Sequence, residues 1–147
     1  MKGTHHVIVQ NKRIKFEFDL RRNLTVLRGD SATGKTTLVE MIREFVTKGR
    51  ESSVEVRCDK TCYVLEEYFW ESTVGNIHDG IVFIDEGNPF VLSHLFAQTI
   101  QETDNYYVIV SRESLPSLPY SVEEVYGIHM SGRYGRLNQC WNEFYRF

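Results

Sequence analysis

Apolar positions along this chain follow two periods, the alternation of strands and the roughly 3.6-residue repeat of helices, and these mark its elements before any motif is read. Residues 5–9 and 13–20 are β-rich runs around Gln10, Asn11 and Lys12. In the second run Ile14, Phe16 and Phe18 alternate with Lys15, Glu17 and Asp19, which predicts a half-buried strand and hence a hairpin. Residues 24–27 predict a core strand. After a glycine-containing loop, Leu38, Met41, Ile42, Phe45 and Val46 fall at i, i+3, i+4, i+7 and i+8, one face of a helix, with Lys48 and Gly49 as its stop. Val54, Val56 and Cys58 alternate as a short strand, and residues 62–65 suggest another. Residues 66–77 fit neither period well; Tyr68, Phe69, Trp70, Val74 and Ile77 would line an irregular helix.

The second half is plainer. Ile81, Val82, Phe83 and Ile84 are four apolar residues in a row, which suits a strand buried on both faces of a parallel sheet. Asn88 and Pro89 predict a helix start, cap then first-turn proline, with Val91, Leu92, Leu95, Phe96 and Ile100 facing inward. Residues 106–110 predict another buried strand, ending in Ser111 and Arg112. Pro116 and Pro119 break regularity. Residues 125–131 and 136–141 flank a turn at 132–135, a closing hairpin. Strand, loop, helix, strand, helix, strand predicts an α/β fold: one domain over residues 1–147, a mainly parallel sheet flanked by helices, and a β-hairpin at each end.

Two segments carry chemistry. Gly29, Asp30, Ser31, Ala32, Thr33, Gly34, Lys35, Thr36 and Thr37 fit G-x-x-x-x-G-K-[ST] between a predicted strand and a predicted helix. Glycines let the backbone wrap a phosphate, and amide groups with the helix start supply positive potential. Lys35 is placed for the β- and γ-phosphates, and the Thr36 hydroxyl for Mg²⁺. The bland alternative is a glycine turn before a helix. The second segment is the buried run ending in Asp85 and Glu86, where Asp85 would share Mg²⁺ with Thr36 and Glu86 would act as general base. Its alternative is a core strand ending in a solvated acidic turn.

With both segments read, the chain resembles the P-loop NTPases over roughly residues 22–112, in the division with an extra strand and a catalytic glutamate beside the Walker B aspartate. The resemblance implies ATP and Mg²⁺ as ligands. It implies that the strand ending at Arg112 separates the other two, and that Ser111 and Arg112 stand where a polar residue senses the γ-phosphate. Lys35, Glu86 and Arg112 are thus the candidate catalytic residues, although Arg112 reads equally as a surface charge. The N-terminal hairpin looks like the antiparallel front sheet of ABC-type ATPases, but no Leu-Ser-Gly-Gly-Gln signature follows, and no helical subdomain or lid is present.

Composition adds limits. A net charge of −3 gives no general electrostatic case for nucleic acid. The basic residues Lys12, Arg13, Lys15, Arg21, Arg22 and Arg28 form either a solvated hairpin face or a phosphate-tracking one. Cys58, Cys62 and Cys140 make an odd number with no disulfide framework, and without a leader or a long apolar run a cytoplasmic, membrane-free protein is expected. Cys58 and Cys62 lack a second ligand pair for zinc, with only His78 and Cys140 as loose candidates, so free thiols are the default.

The leading function is therefore a Mg²⁺-dependent ATP-binding protein with slow or partner-stimulated hydrolysis. Arg133 and Arg136 would either act in trans on a neighbour or sit in a solvated turn. A nucleotide-dependent protein- or nucleic-acid-binding switch with little turnover is the alternative, with Tyr68, Phe69 and Trp70 as core packing or a docking patch. A phosphotransferase like the type II thymidine kinases is the third, since Ile84 to Phe90 is similar to theirs.

Overall fold

A computed structural model describes residues 3–28 and 34–140. The strands are β1 (His5–Gln10), β2 (Lys15–Leu20), β3 (Leu24–Leu27), β4 (Glu55–Arg57), β5 (Cys62–Val64), β6 (Ile81–Ile84), β7 (Tyr106–Val110), β8 (Val125–Ser131) and β9 (Tyr134–Gln139). The α-helices are α1 (Lys35–Lys48), α2 (Trp70–Gly75) and α3 (His94–Gln101). All nine strands form one sheet in the order β4-β1-β2-β9-β8-β3-β7-β6-β5. Pairings β2–β9, β3–β8, β3–β7, β6–β7 and β5–β6 are parallel; β1–β2, β1–β4 and β8–β9 are antiparallel.

This corrects the expected fold class and the resemblance drawn from it. The chain is a curled, mixed, mostly β half-barrel, with three α-helices of 14, 6 and 8 residues among the described residues, not a helix-flanked α/β P-loop NTPase core. The physical reason lies in the hairpins. Each joins the same sheet: Lys15 pairs with Tyr134 and Phe16 with Gly135, and Val26 pairs with Val125. The N-terminal hairpin is therefore not a separate front sheet of the ABC type. Predicted helix also shrank. Residues 66–77 yield only the two turns of α2, because Phe69 before it takes a left-handed φ of 61°. Pro89 opens a 3₁₀ turn, Pro89–Leu92, and α3 starts only after Ser93, whose hydroxyl accepts the Phe96 N–H at 3.1 Å.

The sheet curls because its edge strands, β4 and β5, are consecutive in the chain and joined by residues 58–61 alone. α1 packs into the concave side, where Leu38, Val39, Met41 and Ile42 meet Val7, Val9, Phe16, Leu27, Phe83 and Val108. On the other side Val74 of α2 and Phe96, Ala97 and Ile100 of α3 cover Val26, Val82, Ile84, Tyr107 and Ile109. Strands β3, β6 and β7 are consequently buried on both faces. Gly135 is required for closure: a Cβ there would stand 2.6 Å from the Phe16 ring and 2.9 Å from the Met130 sulfur.

Candidate functional site

The site forms where neighbouring parallel strands end together. Leu27 of β3 pairs with Val110 of β7, and Ile84 of β6 with Ile109, so the segments after these three strands emerge on one rim of the sheet. After β6 come Asp85 and Glu86; after β7 come Ser111 and Arg112. Those four residues share a cavity of about 400 Å³. The Arg112 guanidinium pairs with the Glu86 carboxylate at 3.2 Å. Ser111 is locked to its neighbours: its N–H reaches the Leu27 carbonyl at 3.0 Å and its hydroxyl the Glu113 carbonyl at 2.8 Å.

After β3 the chain passes Arg28 and reaches Gly34 and α1. Gly29, Asp30, Ser31, Ala32 and Thr33 lie outside the described residues. Gly34 takes φ +97°, a left-handed value that favours glycine, and its carbonyl accepts the Leu38 N–H at 2.9 Å to begin the helix. Among the described residues no side chain caps α1. Lys35 is 3% exposed, while Thr36 and Thr37 are exposed on the same first turn. Lys35, Thr36 and Thr37 are not among the residues that line the Asp85 cavity.

Electrostatics tie α1 to the end of β6. Burial raises the Asp85 carboxyl above its ordinary value. The N–H of Glu86, bonded to Asp85 Oδ1 at 2.9 Å, and the charge of Arg43 pull it down, while Glu86 and Glu40 raise it further. Glu40 and Arg43 follow Thr36 at i+4 and i+7, so one face of α1 carries all three. Arg43 was not singled out in the sequence; it also pairs with Glu66 at 2.9 Å, beyond β5. Its only signal was a polar position on that face. Arg28, read in the sequence only as one of six basic residues, also reaches this rim. Its guanidinium reaches the Glu113 carbonyl and the Tyr120 hydroxyl at 3.4 Å each, and its buried Nε has no hydrogen-bond partner among the described residues.

The donor set suits Mg²⁺. A carboxylate kept partly from water and an exposed hydroxyl are hard oxygen donors, and Mg²⁺ held by one carboxylate plus phosphates needs no cage of protein ligands. Among the described residues no group of three or more His, Cys, Asp or Glu is arranged to hold a metal by itself. The arginines proposed to act in trans lie elsewhere. Arg133 donates to the Asn11 carbonyl at 3.3 Å and lies over the Tyr134 ring. Arg136 lines a separate cavity with Glu17, Asp19 and Arg21.

No helix among the described residues is long and apolar enough to cross a membrane. No protein-family model matches the chain, and no curated protein matches it. With the fold corrected and no family behind it, the labels P-loop, Walker A and Walker B lapse, and likeness to known ATPases no longer argues for ATP binding or hydrolysis. Whatever can be said of ligands rests on the residues themselves.

Proposed function

We propose that this protein binds a magnesium-complexed nucleoside triphosphate, ATP, at the rim where β3, β6 and β7 end, and hydrolyses it slowly. The observation that carries the reading is the meeting of segments from three adjacent parallel strands: one leads to Lys35 and Thr36, one to Asp85 and Glu86, one to Ser111 and Arg112. Crevices outside the carboxyl ends of parallel strands are where sheet ligands commonly bind. The start of a 14-residue helix offers amide donors and a partial positive charge to phosphate oxygens. Lys35 adds an ammonium on that turn, and Asp85 with the Thr36 hydroxyl supplies oxygen ligands. Mg²⁺, when bound, would neutralise charge on the phosphates. Glu86 is the candidate base for water.

Slow turnover is favoured by one contact. Glu86 is engaged by Arg112 at 3.2 Å, and that contact must open before the carboxylate can reach a water molecule. A switch with little turnover is the second reading. It draws on Tyr68 and Phe69, 83% and 82% exposed, beyond the carboxyl end of β5 and so on the same rim.

Calorimetric titration with ATP, GTP and ADP, with and without Mg²⁺, tests binding; phosphate release by wild type and Glu86→Gln tests hydrolysis. Saturable, Mg²⁺-dependent ATP binding is expected, with release lost in the variant. No saturable binding of any nucleotide would overturn the site, and equal release rates would remove Glu86 as base.

A further inference from the structure

The two edge strands of the sheet, β4 and β5, are joined at one seam by residues 58–61. Cys58 follows β4 and Cys62 opens β5, so the two thiols flank the short link between the edges. Cys58 is half-buried and Cys62 is 6% exposed. The surrounding groups also tie strands across the seam. His5 of β1 bonds Asp59 at 2.9 Å and the Tyr106 hydroxyl of β7 at 3.0 Å, and Lys60 pairs with Asp79, just before β6. Asp59 lies 3.6 Å from the Cys58 sulfur.

We propose that Cys58 and Cys62 form a reversible disulfide that staples the two edge strands, made by exchange with a low-molecular-weight disulfide. Cys58 is the attacking sulfur. It is reachable from solvent, and the hydrogen bond it accepts from Cys62 holds its thiol down at about 7, against burial and the Asp59 carboxylate, which push it up. Cys62 is the resolving sulfur, kept protonated by donating that bond and by burial.

The exchange balances. The Cys58 thiolate attacks one sulfur of RSSR, the S–S bond of RSSR breaks, and RS⁻ leaves a mixed disulfide on Cys58. Cys58 then carries no charge to hold the Cys62 proton. Cys62 gives that proton to RS⁻ and attacks the Cys58 sulfur, expelling a second RS⁻, which takes the proton Cys58 had released to solvent. Two cysteine thiols lose two electrons in all, and RSSR is reduced to two RSH. The bridge forms when the two sulfurs approach to bonding distance, about 2.05 Å. Cys140, at the end of the sheet's β9 strand beside Gly127, serves as an internal control.

The test equilibrates the native chain in buffers of rising oxidised-to-reduced glutathione ratio. Samples are acid-quenched, alkylated and mapped by peptide mass. The expected result is a peptide containing Cys58 and Cys62 that is lighter by two hydrogens, with alkylatable thiols falling from three to one, the one on Cys140, and all three restored by excess reduced glutathione. Cys140→Ser forms the same bridge, and Cys62→Ser stops at a glutathione adduct on Cys58. Three free thiols at every ratio would overturn the proposal. So would an adduct that persists on Cys58 in the wild type, or a bridge that includes Cys140.

Discussion

Asp85→Asn separates what the Asp85 carboxylate does for a ligand from what it does for the fold. The amide oxygen can still accept the Glu86 N–H, so the turn after β6 keeps its 2.9 Å hydrogen bond. The negative charge, disfavoured chiefly by burial, is removed. A ligand present at a hundred times its Kd stabilises the wild type by about 2.7 kcal/mol. At roughly 2–4 °C per kcal/mol for a chain of this size, that is a rise in Tm of about 5–11 °C with Mg·ATP. Removing one charged partner of a desolvated contact costs about 2–5 kcal/mol of binding. A loss of about 2.7 kcal/mol raises Kd about a hundredfold, leaving the variant near RT ln 2, about 0.4 kcal/mol, and a rise of about 1–2 °C. Thermal unfolding of both proteins with and without Mg·ATP reads the difference. An equal shift in both would refute the role of Asp85. The ligand-free proteins carry a second signature. Because the Asp85 carboxyl is raised in the fold, the folded chain takes up its proton more readily than the unfolded chain does. Its contribution to stability is present at low pH and withdrawn as pH rises from the ordinary value of 3.8 through the raised one, so the variant should be the more stable of the two at neutral pH.

Lys35→Ala should lower ATP affinity by about 30- to 5000-fold, the range for losing a buried charged partner; unchanged calorimetric affinity would exclude its phosphate role. Asn105→Ala should destabilise the fold by about 2–6 kcal/mol, since Asn105, 1% exposed, satisfies the Gly80 N–H and the Ile77 carbonyl at 3.0 Å each. Urea unfolding would show a lower midpoint at constant slope, and a loss below about 1 kcal/mol would mean water takes over both groups. His6 is raised by hydrogen bonds to Asp19 and Glu17, so its contribution is complete below the ordinary imidazole value of 6.5 and disappears as pH climbs through the raised folded value. The stability gap between wild type and His6→Ala should close on that rise, and a gap that is flat with pH would reject a stabilising pairing of His6 with Asp19 and Glu17.

Local pattern was readable where one element decides its own form. The alternation of Ile14, Phe16 and Phe18 is a strand in a hairpin, the stripe from Leu38 to Phe45 lies on α1, and the run from Ile81 to Ile84 is a strand buried on both faces. Partners of those elements were not readable. Lys15 pairs with Tyr134 more than a hundred residues later, and nothing in either run names the other. Fold class was lost there, because joining both hairpins to the parallel strands turns a layered sheet into a curled mixed one. The helix expected after Asn88 failed for a local reason: its proline began a 3₁₀ turn, and the working cap was Ser93. At the rim, sequence singled out Asp85, Glu86 and Arg112 one by one. That Glu86 and Arg112 pair at 3.2 Å depends on β6 and β7 being neighbours, and so on pairing again.

Phe16 explains why the hairpins are not appendages. Its ring sits 3.5 Å from where a Gly34 side chain would begin and 2.6 Å from where a Gly135 side chain would. One buried aromatic on β2 thus meets the residue that starts α1 and the residue that lets β9 close onto β2. The two glycines serve it differently. Gly34 is there for its backbone, since a Cβ would make ordinary contacts but the left-handed φ would be strained. Gly135 is there for space, since any Cβ would overlap the ring. The start of α1 is therefore positioned by the strands that local pattern treated as peripheral. Because Leu38 and Ile42 of the same helix share a core with Cys62 of β5, and Val56 of β4 packs against it, the helix is gripped from both edges of the curl. A sheet lacking either hairpin would leave Lys35 on a helix with only one wall behind it.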